Sequence, residues 1–274
     1  MALPHERIPA RIVEQATPTQ TSYSTADLAV FAADAAYAQQ AAALAATIGV
    51  PLITAPEDTK TTRLLLQLDT QGLSLTDGTL SLRGDFTHLT ARTKQSNLSR
   101  ELIVRAARLK GGAQPPIAVD ATAGLGEDSF LLAAAGFEVH LFERDPVIAA
   151  LLDDTLARAA ADKRLAPITT RMHLSEADSL QALYALPFQP DVVVLDPMFP
   201  ARRKSASIKK KLQLLQQIEQ PCADEGALLE AALATHPRKI VIKRPAKGPW
   251  LAGRKPDYSL AGKAIRFDCI VCTR

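Results

Sequence analysis

The segment Ile117-Ala118-Val119-Asp120, running directly into Ala121-Thr122-Ala123-Gly124-Leu125-Gly126, constrains this chain more than any other. It is a short apolar run that ends in an acid and then a glycine-rich turn. Two later runs repeat the pattern: 139–142 ends in Glu143, and 192–195 ends in Asp196-Pro197-Met198-Phe199-Pro200. Three strands that each finish in an acid or a tight turn put their polar groups along one edge of a parallel sheet. Open α/β sheets bind ligands there, outside the carboxyl ends of the strands.

The surrounding pattern supports that sheet. From 117 onward, apolar runs alternate with helical periodicity, giving helices at 128–135, 146–161 and 225–235 and around 179–184 and 209–218. Strands fall at 168–174, 239–243 and 264–272. Pro146 suits a first helical turn. Alternation of this kind implies an α/β fold, a mostly parallel, doubly wound, Rossmann-like sheet. Residues 97–110 read as a further helix stopped by Gly111-Gly112. Upstream, the alanine-rich stretch 25–48 reads as one helix capped by Ser24 or Thr25. Runs 64–68, 73–75 and 80–82, separated by tight turns, read as antiparallel strands. Residues 1–85 are therefore expected to form a small N-terminal α/β subdomain for substrate docking or as a lid. Residues 86–274 would form the main domain.

The glycine turn restricts the cofactor. A dinucleotide site carries Gly-x-Gly-x-x-Gly and seats a pyrophosphate on the helix N-terminus. Here Gly124 and Gly126 are present, but Ser129 stands at the third glycine. Glu127 and Asp128 follow directly. These acids repel a pyrophosphate and suit the amino group of a methionine moiety, which favours S-adenosylmethionine (SAM). Glu143 can take both ribose hydroxyls, with Arg144 beside the adenosine. Asp178 and Ser179 can face the adenine amino group, although Asp178 serves equally as a helix N-cap.

Asp196-Pro197-Met198-Phe199-Pro200 is the candidate catalytic loop. An exocyclic base amine is a poor nucleophile because its lone pair is delocalised into the ring. The Asp196 carboxylate and the Pro197 carbonyl can accept its two hydrogens, and Asp196 can take the released proton. Phe199 can stack on the base. No metal is needed, and His5, His88, His140, His173 and His236 show no ligand spacing. Cys269 and Cys272 lie three apart on an expected strand, so their thiols point to opposite faces.

Net charge is only +3, but it is unevenly spread. Residues 201–211 carry Arg202, Arg203, Lys204, Lys209, Lys210 and Lys211 without an acid. Residues 236–255 carry Arg238, Lys239, Lys243, Arg244, Lys247, Arg254 and Lys255, again without one. Such density is the footprint of a phosphate-backbone partner. No long uncharged apolar stretch marks a membrane span, and 1–20 lacks a signal-peptide core. A cytoplasmic, monomeric protein is expected.

With these motifs in place, the chain resembles the ribosomal RNA small subunit methyltransferase J family. The resemblance rests on Asp120–Gly126, Glu143-Arg144-Asp145-Pro146-Val147, Ala150-Leu151-Leu152-Asp153-Asp154 and Leu195–Pro200. Ser205-Ala206 with Lys209-Lys210, and Val241-Ile242-Lys243-Arg244-Pro245, continue it. It covers roughly Gly84 to the C-terminus. It implies SAM-dependent methylation of a guanine N2 amine in 16S rRNA, at guanosine 1516. The partner would be the rRNA or the small ribosomal subunit. It also implies cofactor contacts at Glu127, Asp128, Glu143, Arg144, Asp178, Ser179 and Asp196, in a pocket that includes Asp120, Gly124 and Gly126. Glu127 stands where relatives are expected to carry a basic residue, so its contact would run through the backbone. Arg202, Arg203, Lys204, Lys209, Lys210, Lys243 and Arg244 would hold RNA. Arg92, Lys94 and Arg100 form a further basic strip upstream.

Other readings compete. An amino-group methyltransferase acting on DNA adenine or protein glutamine would carry a similar loop. A dehydrogenase lacks support without the third glycine. A binding module that has lost catalysis would not need an intact Asp196-Pro197.

Overall fold

Val192, Val193, Val194 and Leu195 are all buried, and alternate residues face opposite helical layers. Val192 and Val194 join the core that contains Phe130, Leu131 and Ile103. Val193 and Leu195 join the core that contains Leu228, Leu229 and Leu183. A strand with a period of two and apolar residues on both faces must lie centrally between two layers of helices. The computed structural model describes residues 27–111, 114–198, 214–215, 217–218 and 224–273.

The larger sheet has seven strands: β6 (Ile117–Asp120), β7 (Glu138–Glu143), β8 (Met172–Glu176), β9 (Val192–Leu195), β10 (Lys239–Pro245), β11 (Tyr258–Ala261) and β12 (Ile265–Val271). Their order is β11-β12-β10-β9-β6-β7-β8. β8, β7, β6, β9 and β10 run parallel, and the β11–β12 hairpin closes one edge antiparallel. Strand order reverses between β6 and β9, which is the switch point where such sheets open a crevice. Helix α4 (Glu127–Ala134) follows β6, and α5 (Pro146–Ala161) follows β7. Asp145 caps α5 by accepting from Val147 N at 3.0 Å and Ile148 N at 3.2 Å, a contribution of about 1 kcal/mol.

The upstream residues build a second sheet, β2-β1-β3-β4-β5. It comprises β1 (Leu28–Ala32), β2 (Leu52–Ile53), β3 (Leu64–Asp69), β4 (Gly72–Thr76) and β5 (Ser81–Leu82). Its apolar face shares a core with Val147 and Leu151 of α5, and with Leu214 and Ile218.

Several sequence expectations need correction. The single helix over 25–48 is instead β1 followed by α1 (Ala38–Ile48), and Asp34 caps the intervening turn through Ala36 N at 2.9 Å. Residues 28–32 pair in parallel with both β2 and β3, and this ladder overrides the helical preference of alanine. The helix over 97–110 is broken into α2 (Gln95–Leu98) and α3 (Leu102–Ala107). Between them, Glu101 is extended at its ψ and grips Arg92 with both carboxylate oxygens, at 2.8 and 2.7 Å. Residues 166–169 form a helical turn, so the third parallel strand starts at Met172. Strand β11 is an addition. Cys269 is buried in β12, Cys272 lies just beyond it, and both are free thiols. No helix among the described residues is long and apolar enough to cross a membrane.

Candidate functional site

The carboxyl ends of β6, β7 and β9 bring together the acids that the sequence singles out. Asp120 closes β6 and is 4% exposed. It accepts from Ser129 Oγ at 2.5 Å and Thr122 N at 3.1 Å. Burial pushes its pKa up to about 6 despite those two donors, and the charges of Asp128 and Asp196 add to the rise. The serine at the third-glycine position thus braces the acid that ends the first strand.

Gly124 and Gly126 both adopt left-handed backbone, with φ of 53° and 73°. A Cβ on Gly126 would lie 2.7 Å from Leu152 Cδ1, whereas one on Gly124 would meet nothing within 4 Å. Gly126 is therefore a packing glycine, and Gly124 presents bare backbone to open space. Glu143 fastens this turn. Its Oε2 accepts from Gly124 N and its Oε1 from Asp145 N, both at 2.9 Å. Burial raises its pKa, partly offset by those amides and by Arg144. Each carboxylate oxygen keeps further acceptor capacity. Arg144 is exposed at the strand end. Asp178 caps the turn that begins at Ser179, accepting from Leu180 N at 2.9 Å, and Ser179 is buried.

Asp196 is exposed at the end of β9, next to buried Pro197. Its N–H donates to Thr122 Oγ1 at 2.6 Å, tying the candidate catalytic loop to the glycine turn. Its Oδ2 lies 2.9 Å from Lys243 Nζ, which also reaches Asp128 Oδ2 at 2.8 Å. The surrounding protein raises the Asp196 pKa, while Lys243 pulls it down. Lys243 pays for burial but is held firmly protonated by Asp196 and Asp128. Sequence reasoning missed this bridge. Its only signal is register: β9 and β10 pair Leu195 with Ile242, so residues 196 and 243 come next. Thr122 was passed over as well, although it sits inside the turn motif.

Two expected roles change. Lys243 is committed to two carboxylates inside the site, so it is not a surface phosphate contact. The Arg244 side chain is fully buried, donates from Nε to Pro249 O at 3.0 Å and pairs with Glu225 Oε1 at 3.0 Å, so it cannot reach RNA. Arg238 and Lys239 also serve the fold. Arg238 donates to Lys110 O and Gly111 O, and Lys239 to Ala106 O and Arg108 O. Of the 236–255 run, Lys247, Arg254 and Lys255 remain exposed. Glu127 turns towards His88, at 3.4 Å. Phe199, Arg202, Arg203, Lys204, Lys209 and Lys210 lie outside the described residues. No group of three or more metal-binding side chains occurs among the described residues.

The donor set suits a cationic ligand. Asp120, Asp128 and Asp196 feel one another's charge, Lys243 is tied to two of them and Glu143 holds the adjoining glycine turn, while desolvation by the surrounding protein disfavours the ionised forms of Asp120, Glu143 and Asp196. SAM, with a sulfonium and an ammonium, offsets that repulsion; a pyrophosphate would worsen it.

Comparison with known proteins agrees. A family model described as "Putative SAM-dependent methyltransferase" matches residues 50–272. The match starts within the N-terminal sheet, further upstream than the motif resemblance near Gly84. A protein of Thioalkalivibrio sulfidiphilus named ribosomal RNA small subunit methyltransferase J is 44% identical over 242 residues, covering 85% of this chain and 93% of that one. One of the same name from Pseudomonas aeruginosa is 41% identical, covering 88% and 93%. The crystal structure of a SAM-dependent methyltransferase from Neisseria gonorrhoeae superposes with a TM-score of 0.69 at 29% identity, covering 89% of this chain and 95% of that one.

Proposed function

The chain belongs to the ribosomal RNA small subunit methyltransferase J family of SAM-dependent methyltransferases, and from that premise we propose that it methylates the exocyclic N2 amine of a guanosine in 16S rRNA, by resemblance guanosine 1516. The observation that carries the reading is Asp196: a solvent-reachable carboxylate at the switch point, tied to the glycine turn through Thr122 and to Lys243.

When bound, SAM supplies an electrophilic methyl group. Asp128 would hold its amino group, Glu143 its ribose hydroxyls, and Asp178 and Ser179 its adenine edge. The Asp196 carboxylate and the Pro197 carbonyl accept the two hydrogens of the guanine amine, which concentrates the lone pair on nitrogen. Asp196 then takes the released proton, directly or through water. Lys243 keeps that carboxylate ionised before the amine arrives. Positioning of the amine and a preorganised site supply most of the rate. Phe199 is assigned to stacking on the base, and Arg202, Arg203, Lys204, Lys209 and Lys210 to the phosphate backbone.

The test is methyl transfer from labelled SAM to 16S rRNA or small subunits lacking the modification, followed by nuclease digestion and nucleoside analysis. Label in N2-methylguanosine is the expected result. SAM binding with no label in any rRNA nucleoside would redirect the search to DNA adenine or protein glutamine.

A further inference from the structure

The chain has one tryptophan, and it is exposed: Trp250, at 42%, on the loop between β10 and β11. A single exposed aromatic needs no explanation by itself, and on a mobile loop it would offer no fixed surface. This loop is pinned instead. Arg266, buried in β12, donates from Nη1 to Pro245 O (2.8 Å), Ala246 O (3.1 Å) and Gly248 O (2.9 Å), and from Nη2 to Pro249 O (3.3 Å). Asp268 holds that guanidinium from the other side, at 2.8 and 2.9 Å. Arg244 Nε adds a second bond to Pro249 O. Glu225 receives Arg244 on Oε1 and Ala252 N on Oε2, at 3.0 and 3.1 Å. Leu251, 1% exposed, is the apolar plug that seats the segment and leaves its neighbour Trp250 outside.

Two buried arginines thus hold the loop by its carbonyls. The exposed cations Lys247, Arg254 and Lys255 flank the ring in sequence. Residues 236–255 contain no acid, and the next one, Asp257, accepts the Val271 N–H at 2.7 Å. The loop departs from β10 two residues after Lys243, which contacts Asp196. An aromatic face on a pinned loop at the carboxyl edge of the sheet, with exposed cations three to five residues away along the chain, matches what single-stranded nucleic acid needs: a stacking platform with phosphate contacts nearby.

We propose that residues 246–255 form a docking surface for single-stranded RNA, with Trp250 stacking on a base near the target nucleotide and Lys247, Arg254 and Lys255 holding the adjoining phosphates. This rests on the rRNA reading above for the identity of the RNA. Because its geometry is fixed before binding, little ordering entropy opposes the contact.

Trp250 reports on its own contact. Titration of the full-length protein with a short single-stranded RNA, followed by intrinsic tryptophan fluorescence, should quench emission in step with binding measured by anisotropy of a labelled RNA. Trp250→Ala should weaken RNA binding roughly 5- to 100-fold and raise KM for rRNA, while SAM affinity and thermal stability hold. Trp250→Phe should restore most of the affinity. Joint replacement of Lys247, Arg254 and Lys255 by Ala should flatten the salt dependence by roughly 0.7 in slope per lost phosphate contact. Saturated RNA binding with unchanged fluorescence, or an unchanged KM in Trp250→Ala, overturns the proposal and leaves the methyltransferase reading intact. Trp250-dependent RNA binding without label in any rRNA nucleoside would support the surface and sink the assigned substrate instead.

Discussion

Lys243 Nζ and Asp196 Oδ2 lie 2.9 Å apart across the neighbouring parallel strands β10 and β9, and the same ammonium reaches Asp128 at 2.8 Å. One lysine thus couples the acid of the candidate catalytic loop to an acid in the first turn of α4. Desolvation by the surrounding protein raises the Asp196 pKa and Lys243 is the first influence opposing it; Asp128 raises it further and Arg244 lowers it. Asp120, whose own pKa rises partly through Asp196, shares the crevice. Lys243→Met removes the main opposing charge, so the carboxylate becomes harder to ionise. The acid limb of the kcat/KM profile should move to higher pH, with about tenfold loss below that limb for each pH unit of movement. Lys243→Arg should keep the limb near its original place. A uniform loss at every pH, with the limb unmoved, would reduce Lys243 to a structural role.

Asp196→Ala removes the proposed acceptor of the amine hydrogens and leaves its backbone N–H free to hold Thr122 Oγ1. Methyl transfer should fall roughly 10²- to 10⁴-fold, while SAM still binds in calorimetry. Full turnover in this variant would remove Asp196 from the mechanism.

Gly124 and Gly126 should separate binding from folding. Gly126→Ala places a methyl 2.7 Å from Leu152 Cδ1 at a φ of 73°. It should cost about 1–3 kcal/mol of stability and lower Tm by several degrees. Gly124→Ala has a φ of 53° but open space at the added carbon. It should cost only about 1 kcal/mol, yet lose SAM affinity because the new methyl would enter the open space proposed for the cofactor. Equal effects of the two on both readouts would contradict this division.

The parts of the fold legible in the sequence were those whose signals are local. The 192–195 run matches β9 and Pro146 opens α5 at the expected bounds, because a short apolar run and a proline-led helix need little from elsewhere. Residues 28–32 were illegible as a strand because their pairing partners, Leu64–Leu68, lie more than thirty residues away. The strand-end positions of Asp120, Glu143 and Asp196 were legible, but the counter-charge beside them was not. Lys243 sits in a basic run that reads as surface, and only the β9–β10 register brings it to Asp196. The same run shows why charge density misleads: Arg238, Lys239, Lys243 and Arg244 each serve carbonyls or carboxylates of the fold.

Asp120 should trade stability for ligand charge. Its folded pKa of about 6 lies above the 3.8 of a free carboxyl. A raised acid means that the native state binds more protons than the unfolded chain between those values. Stability therefore falls as pH rises from about 4 to about 6, and stays reduced above that. At neutral pH the buried charge costs up to roughly 3 kcal/mol. Asp120→Asn removes it and still offers an acceptor to Thr122 N, and the Ser129 hydroxyl can rotate to suit. The variant should be the more stable protein at pH 7.5, with the gain shrinking towards pH 4. Asp145, also raised to about 6, and His140, lowered to about 4 by burial, contribute equally to both proteins at each pH and cancel in the comparison. The lost charge should in turn weaken SAM binding. Urea melts of both proteins at pH 7.5 and 4.5 measure the difference. A variant less stable at pH 7.5 would mean that the Ser129 and Thr122 bonds outweigh the desolvation of the carboxylate.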